Sequence, residues 1–363
     1  PAVVEPARRL AAEGFVVTSR LHESLKEKQS DLARFPESAT VWLPAGEPPP
    51  VGSVFLQPVL ATTLERFAAV GPSALTEGAA AAAIERVSTR YGGILKATDL
   101  AAYRAEWRPV VRFEAFGWSF ASMDQPSSGG IILGQALEML EDLQWRNHPR
   151  FGAQRAHLLA EVLRRAFADR YLMGDPSTSR ADWRRLLSDD WLNWRRSTIL
   201  PDHATPSSEV VTAPEGLLQE SSDTTHISVI DGDGNLVAVT TTLNGLFGCK
   251  VLVPELGYFL NNEMDDFAAA PGHPNMYGLI QGEANAIAPG KRMLSSMTPT
   301  IVARDGRPVM AVGSPGGKTI INTVLRVVVN VIDFEMGLED AVAAPRLHHP
   351  WMPDRISMEE GYP

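Results

Sequence analysis

The chain has 363 residues, enough for two domains or one large layered fold. Apolar residues make up 44% and charged residues 21%, a globular balance that excludes a largely disordered, collagen-like or coiled-coil chain. Thirty-three basic against 43 acidic residues give a net charge of −10, which repels phosphate backbones and disfavours nucleic acid as the main partner. The longest apolar run, Ala79 to Ile84, falls far short of the ~20 residues needed to span a bilayer. The single cysteine, Cys249, rules out an internal disulfide and a cysteine-built metal site. The chain begins at Pro1, with no signal-peptide pattern.

In chain order, Ser19 is expected to cap a helix from Arg20 to Ala33, with Pro36 beyond its end. The four prolines between Pro44 and Gly52 mark a loop. Helical spacing returns at 59–67 and at 79–89, and Thr98 can cap a short helix over 99–104. Val110–Ala115 and Trp118–Met123 flank Phe116-Gly117 and read as a hairpin. Two amphipathic helices follow, at 131–143 and 153–173, the second with Gly174 as its stop. Their apolar stripes read as core.

The second half changes character. A helical stretch is expected at 183–196, then an exposed polar connector up to Asp223. There the period switches to two. Thr225–Ile230 and Leu236–Leu243 read as strands around the turn cluster 231–235, and 299–304 and 308–312 as a second pair around Asp305-Gly306. The β-branched run 319–334 fits either a buried helix or a strand, and its length favours helix; 338–344 reads as one more helix.

Three motif-like runs fail on inspection. Gly313 to Thr319 is one residue short of a phosphate-binding loop, with Val312 where the first glycine belongs. The 231–242 stretch has Leu236 where a calcium loop needs glycine and Thr242 where it needs glutamate. His348 and His349 are adjacent, so on extended backbone they point to opposite sides and read as packed or hydrogen-bonded histidines rather than metal ligands.

The chemistry-bearing residues concentrate in 223–317. They are Thr224-Thr225-His226, Thr240–Asn244, Asn261–Phe267, Ser295-Ser296 and Gly316-Gly317. Singly, each has an ordinary explanation: strand propensity, a solvated carboxylate cluster, or a loop. Their order is what carries information. With TTHISVIDGDGNLVAVTTTLN, LNNEMDDF, PNMYGLIQGEANAIAPGKRMLSSMTPT, GSPGG and APRLHHPW, and with QPSSGG (125–130) and FADRYLMGDP (167–176) earlier, the chain resembles the γ-glutamyltranspeptidase family of N-terminal-nucleophile hydrolases.

That resemblance implies an α+β fold, a four-layer αββα sandwich. It implies a precursor that cuts itself at Asp223–Thr224 into pieces 1–223, helix-rich, and 224–363, β-rich, which stay associated as large and small subunits. Thr224 would be the nucleophile, because a freed α-amine of pKa roughly 7.7–8 supplies the base that a mid-chain threonine lacks. Thr242 would hydrogen-bond to it, and the amides of Gly316 and Gly317 would form the oxyanion hole. Asn244, Glu263 and Asp266 would hold the α-ammonium of a γ-glutamyl donor such as glutathione. Ser295 and Ser296 would hold its α-carboxylate, and Tyr277 would belong to a lid. Water or an amino acid or peptide would accept the γ-glutamyl group. No cofactor or metal is implied, and the location is expected to be periplasmic or secreted.

Family members carry further sequence before the point matching Pro1, including an arginine for the donor carboxylate that no residue here matches. They also continue beyond the point matching Pro363, so the chain is expected to be a piece lacking both ends of the fold. Rival readings are a cephalosporin-type or poly-γ-glutamate-acting acylase, and an unprocessed binding protein.

Overall fold

A computed structural model describes residues 1–178, 182–210, 224–273 and 282–363. The chain divides into two compact units. One comprises Pro1–Trp107 and Gly245–Asn262, the other Arg108–Asn244 and Glu263–Pro363. Each draws residues from both sides of position 223/224.

The first unit is mainly helical, with helices at Glu5–Glu13, Ser19–Glu27, Gln29–Ala33, Pro36–Trp42, Pro58–Val70 and Gly78–Arg90. The single helix expected over 20–33 is two. Lys28 leaves helical geometry at φ −103°, ψ 13°, and the cap is Thr18, whose hydroxyl accepts from the Leu21 amide at 3.2 Å. Pro36 opens the next helix, where its missing N–H costs nothing. Trp42, Phe55, Phe247 and Phe259 pack ring against ring at the centre of one apolar cluster. Ser38 ties the returning segment 245–262 to the helices: its hydroxyl donates to the Lys250 carbonyl at 2.6 Å and accepts from the Leu252 amide at 3.1 Å.

The second unit is mixed helix and sheet. Its strands are β1 (Val110–Ala115), β2 (Trp118–Met123), β3 (Thr224–Ile230), β4 (Leu236–Thr242), β5 (Thr300–Arg304) and β6 (Arg307–Val312). Its main helices are α1 (Gly129–Asp142), α2 (Ala153–Asp169) and α3 (Ile320–Ile332). The antiparallel sheet runs β6-β5-β2-β1, and β3 pairs with β4 as a hairpin. The β1–β2 turn is Phe116-Gly117, at φ 57° and 76°, the positive values a tight hairpin needs. Val111, Phe113 and Ala115 alternate inward from β1 onto α1. α1 in turn packs on α2 and α3, whose buried residues complete one continuous core. The 319–334 run is helix, as its length suggested. Asp231 closes the β3–β4 turn by accepting from the amides of Asp233 and Asn235 at 3.0 and 2.8 Å.

Two expected helices end differently. α2 stops at Asp169 and a 3₁₀ turn covers Arg170–Leu172, so Gly174 is no helix cap. Gly174 is needed for closeness: a Cβ there would lie 2.0 Å from the Ala284 carbonyl oxygen. The stretch expected at 183–196 is a 3₁₀ turn, Trp183–Leu187, then a helix, Asp189–Ser197, capped by Ser188. Buried Asp169 joins these pieces. It accepts from Gln135 Nε2 at 2.8 Å and Trp191 Nε1 at 2.7 Å, and pairs with Arg195. His349 hydrogen-bonds to Arg164 and Asp354, while His348 packs edge-on against Phe167.

Candidate active site

β3 and β4 begin and end at the same rung. Thr224 is the register partner of Thr242, so strand pairing alone brings together two hydroxyls 18 positions apart. The Thr224 hydroxyl donates to Thr242 Oγ1 at 3.5 Å, a long contact. Thr242 Oγ1 also accepts from the Asn244 amide at 2.9 Å. That second bond is possible because Asn244 sits at φ 71°, a left-handed turn that asparagine tolerates. The Asn244 side chain is buried.

The other wall comes from the loop after β6. Gly316 and Gly317 have φ of 128° and 54°, and Gly317 opens the 3₁₀ turn that leads into α3. The backbone amides there are at a helix start, where N–H groups lack internal partners and the dipole favours negative charge. A Cβ on Gly316 would lie 2.6 Å from Thr319 Oγ1.

Ser295 and Ser296 lie in an extended run held by the segment before α1. Ser128 donates its amide to the Ser295 carbonyl at 2.9 Å, and Ser295 donates its amide to the Pro126 carbonyl at 2.7 Å. Both serines are 9% exposed. Glu263 and Asp266 occupy one 3₁₀ turn. Burial raises both carboxyls well above the usual carboxylate range; each hydrogen-bonds to the other, and the charge of Glu263 raises Asp266 further. Two such groups titrate as a pair.

One cleft joins these elements. Thr224, Thr242, Asn244, Asp266, Ser295, Ser296 and Gly317 all line it. Glu263 is not in the lining; it backs Asp266. Gly316 adjoins the lining through Gly317. Asp223 and Tyr277 lie outside the described residues. Two cations that composition and spacing did not single out also line the cleft, Arg170 and Lys318, both buried. Their only signal in the sequence was position. Arg170 ends the FADR of a run that fits the family pattern, and Lys318 directly follows the glycines. Burial pulls Arg170 down to about 10, partly offset by Asp266, so it remains a cation at neutral pH.

Chemically, the cleft offers a hydroxyl with a hydroxyl neighbour, backbone amides at a helix start, a half-buried carboxyl, Asp266, hydrogen-bonded to Glu263, and two serine hydroxyls beside a buried guanidinium. That set suits attack on a carbonyl in a molecule carrying both a cationic and an anionic group.

The whole chain, residues 1–363, matches the family described as gamma-glutamyltranspeptidase. It is 42% identical over 363 residues to the glutathione hydrolase proenzyme of Escherichia coli (strain K12), covering 99% of this chain and 62% of that one. It is 37% identical over 346 residues to the acylase ACY 1 proenzyme of Pseudomonas sp. (strain SE83), covering 95% and 59%. Among solved structures, cephalosporin acylase from Bacillus halodurans shares the fold, with a TM-score of 0.82 at 24% identity over 99% of this chain and 63% of that one. The chain therefore spans about three-fifths of the length of the curated relatives it matches.

Proposed function

The chain belongs to the γ-glutamyltranspeptidase family, and on that premise we propose that it carries the reaction centre of a self-processing γ-glutamyltransferase and glutathione hydrolase. The observation that carries this reading is the meeting of Thr224, Thr242 and Gly317 in one cleft with Ser295, Ser296 and Asp266.

In this reading the precursor is cut at Asp223–Thr224, giving pieces 1–223 and 224–363 that remain together in a four-layer αββα sandwich. The new α-amine of Thr224 takes the hydroxyl proton. The oxygen attacks the γ-carbonyl carbon of the donor. The amides of Gly316 and Gly317 receive the negative charge that develops on the carbonyl oxygen. As the C–N bond breaks, the proton passes to the leaving amine, and an ester to Thr224 remains. Water or the amine of an amino acid or peptide then attacks the ester, returning the hydroxyl. Glu263, Asp266 and Asn244 hold the donor's α-ammonium, Ser295 and Ser296 its α-carboxylate, and Tyr277 covers the site. The protein works in the periplasm or outside the cell.

The test is intact mass under denaturing conditions, on the complete encoded protein and its Thr224→Ala variant. Two pieces meeting at Asp223–Thr224 in the wild type and one uncut chain in the variant support the reading. A folded wild type that stays whole sinks it.

A second reading, an acylase of the same superfamily, is favoured by the 37% identity to acylase ACY 1. The carboxyl pair of Glu263 and Asp266 weighs against substrates without an ammonium, because such a substrate brings no charge that favours the pair's ionised form. Turnover of a glutaryl amide in preference to the matching γ-glutamyl amide would reverse the order of the two readings.

A further inference from the structure

Two runs that fit the family pattern, 125–130 and 167–176, play no part in the reaction as proposed. They converge behind Ser295 and Ser296. From the first run, Ser127 Oγ donates to the Met297 carbonyl at 2.7 Å, and Ser128 Oγ donates to the Ser295 carbonyl at 3.0 Å. From the second, Arg170 reaches across all of them. Its Nε donates to Ser128 Oγ at 3.1 Å, and its Nη2 donates to Ser296 Oγ at 3.3 Å and to the Leu294 carbonyl at 3.4 Å.

These bonds have a polarity. A guanidinium is only a donor, so Ser296 Oγ accepts from Arg170. Ser295 Oγ likewise accepts, from the Met297 amide at 3.1 Å. Each hydroxyl thus spends a lone pair on the protein and keeps its hydrogen for another acceptor, and both serines line the cleft. Arg170 itself is 3% exposed and makes no ion pair with a described residue, and its Nη1 has no hydrogen-bond partner among them. Asp266 offsets that buried charge only in part, and the remainder is expensive unless something else compensates it.

We propose that Arg170 is a positioning residue that, with Ser128, fixes the 294–297 run and turns Ser296 into an obligate donor toward an anionic group of the substrate. This rests on the γ-glutamyl reading of the cleft. Arg170 acts through Ser296 and through its charge, not by touching the reacting atoms. Lysine in its place keeps the charge but cannot bond Ser128, Leu294 and Ser296 together, because it presents a single nitrogen instead of a planar fork.

The experiment compares wild type, Arg170→Lys, Ser296→Ala and the double variant, each expressed from the complete reading frame, with γ-glutamyl-p-nitroanilide as donor. Arg170→Lys is expected to cut itself normally, to raise KM about tenfold and to hold kcat within about threefold. In the Ser296→Ala background the same substitution should add little, since coupled residues are not additive. An unchanged KM, or a KM effect that adds fully to that of Ser296→Ala, overturns the proposal. If Arg170→Lys does not fold, Ser128→Ala removes one anchor of the guanidinium and must raise KM in the same direction; an unchanged KM there overturns it equally. A wild type that turns over no γ-glutamyl donor defeats the underlying reading instead, so the two failures are distinct.

Discussion

Thr224 and Thr242 face each other across the first rung of the β3–β4 hairpin, their hydroxyl oxygens 3.5 Å apart. Sheet register sets that separation, and the Asn244 amide pins Thr242 Oγ1 from the other side. A hydroxyl in this place can orient a nucleophile but is too weak a base to take its proton. Thr242→Val preserves shape and strand propensity while removing the acceptor. It should lower kcat by about 2- to 10-fold, the scale of one lost neutral hydrogen bond of about 0.5–1.5 kcal/mol, with Thr242→Ser close to wild type. Steady-state hydrolysis of γ-glutamyl-p-nitroanilide measures this. A valine variant as fast as wild type would remove Thr242 from the chemistry.

The two glycines after β6 should differ in tolerance. Gly317 sits at φ 54°, which costs an alanine roughly 1–2 kcal/mol. Gly316 sits at φ 128° and would also drive a Cβ to 2.6 Å from Thr319 Oγ1. Gly316→Ala should therefore be the more damaging, with kcat down by about 10²–10³-fold if an oxyanion amide moves, and Gly317→Ala milder. The order is read from kcat with folding checked by circular dichroism. The reverse order would mean that backbone strain does not govern this loop.

The sequence carried the hairpins through their period of two and their turn residues, α1 through its apolar spacing and α3 through the length of its apolar run, although both helices are buried on nearly every side. Element ends were less legible. Lys28 breaks a helix that spacing alone runs through, and Gly174 sits where it does because Ala284, far away in the chain, approaches it. The candidate site was legible only as an ordered set of motifs. Nothing in local spacing says that Thr224 meets Thr242, since cross-strand register decides it, or that Arg170 reaches Ser296, since both are brought together by packing. Neither Arg170 nor Lys318 stands out in a chain with 33 basic residues.

Glu263 and Asp266 give a proton-linked prediction. Burial raises both carboxyls, so the ligand-free pair retains proton at pH values where exposed carboxylates have none. The groups facing Asp266 are Glu263 and Asp265, which raise it, and Arg170, which lowers it. An ammonium bound there favours the ionised forms, so binding of glutamate at neutral pH should release protons. Calorimetry in buffers of different ionisation enthalpy will detect it, and buffer-independent heats would contradict it. The sign for stability follows. A carboxyl with a raised folded-state pKa contributes fully below its unfolded pKa and loses that contribution as pH rises through the folded value. Asp266→Asn should therefore weaken the fall in Tm between acid and mildly alkaline pH.

Gly313 and His226 give the last prediction. Ser228 Oγ donates to the Ala311 carbonyl at 2.9 Å, so it accepts from His226 Nε2 at 3.0 Å. His226 Nδ1, 2.8 Å from Thr240 Oγ1, must then accept the threonine proton. Burial lowers the histidine's pKa, which favours the neutral ring, and its two hydrogen bonds select the tautomer. The ring lies flush against Gly313, where a Cβ would come within 2.1 Å of Nδ1. Gly313 has no positive φ, so its requirement is space alone. An alanine must push either the imidazole or the strand end that leads to Gly316 and Gly317. Gly313→Ala should cost about 1–3 kcal/mol of stability, as overpacking does, and should lower kcat by moving the loop. Removing the ring relieves the clash, so Gly313→Ala combined with His226→Ala should lose less than the sum of the single variants, by about 0.5–3 kcal/mol. Thermal unfolding of the four proteins closes the cycle. Strict additivity would mean that the loop, rather than the ring, yields to the added methyl.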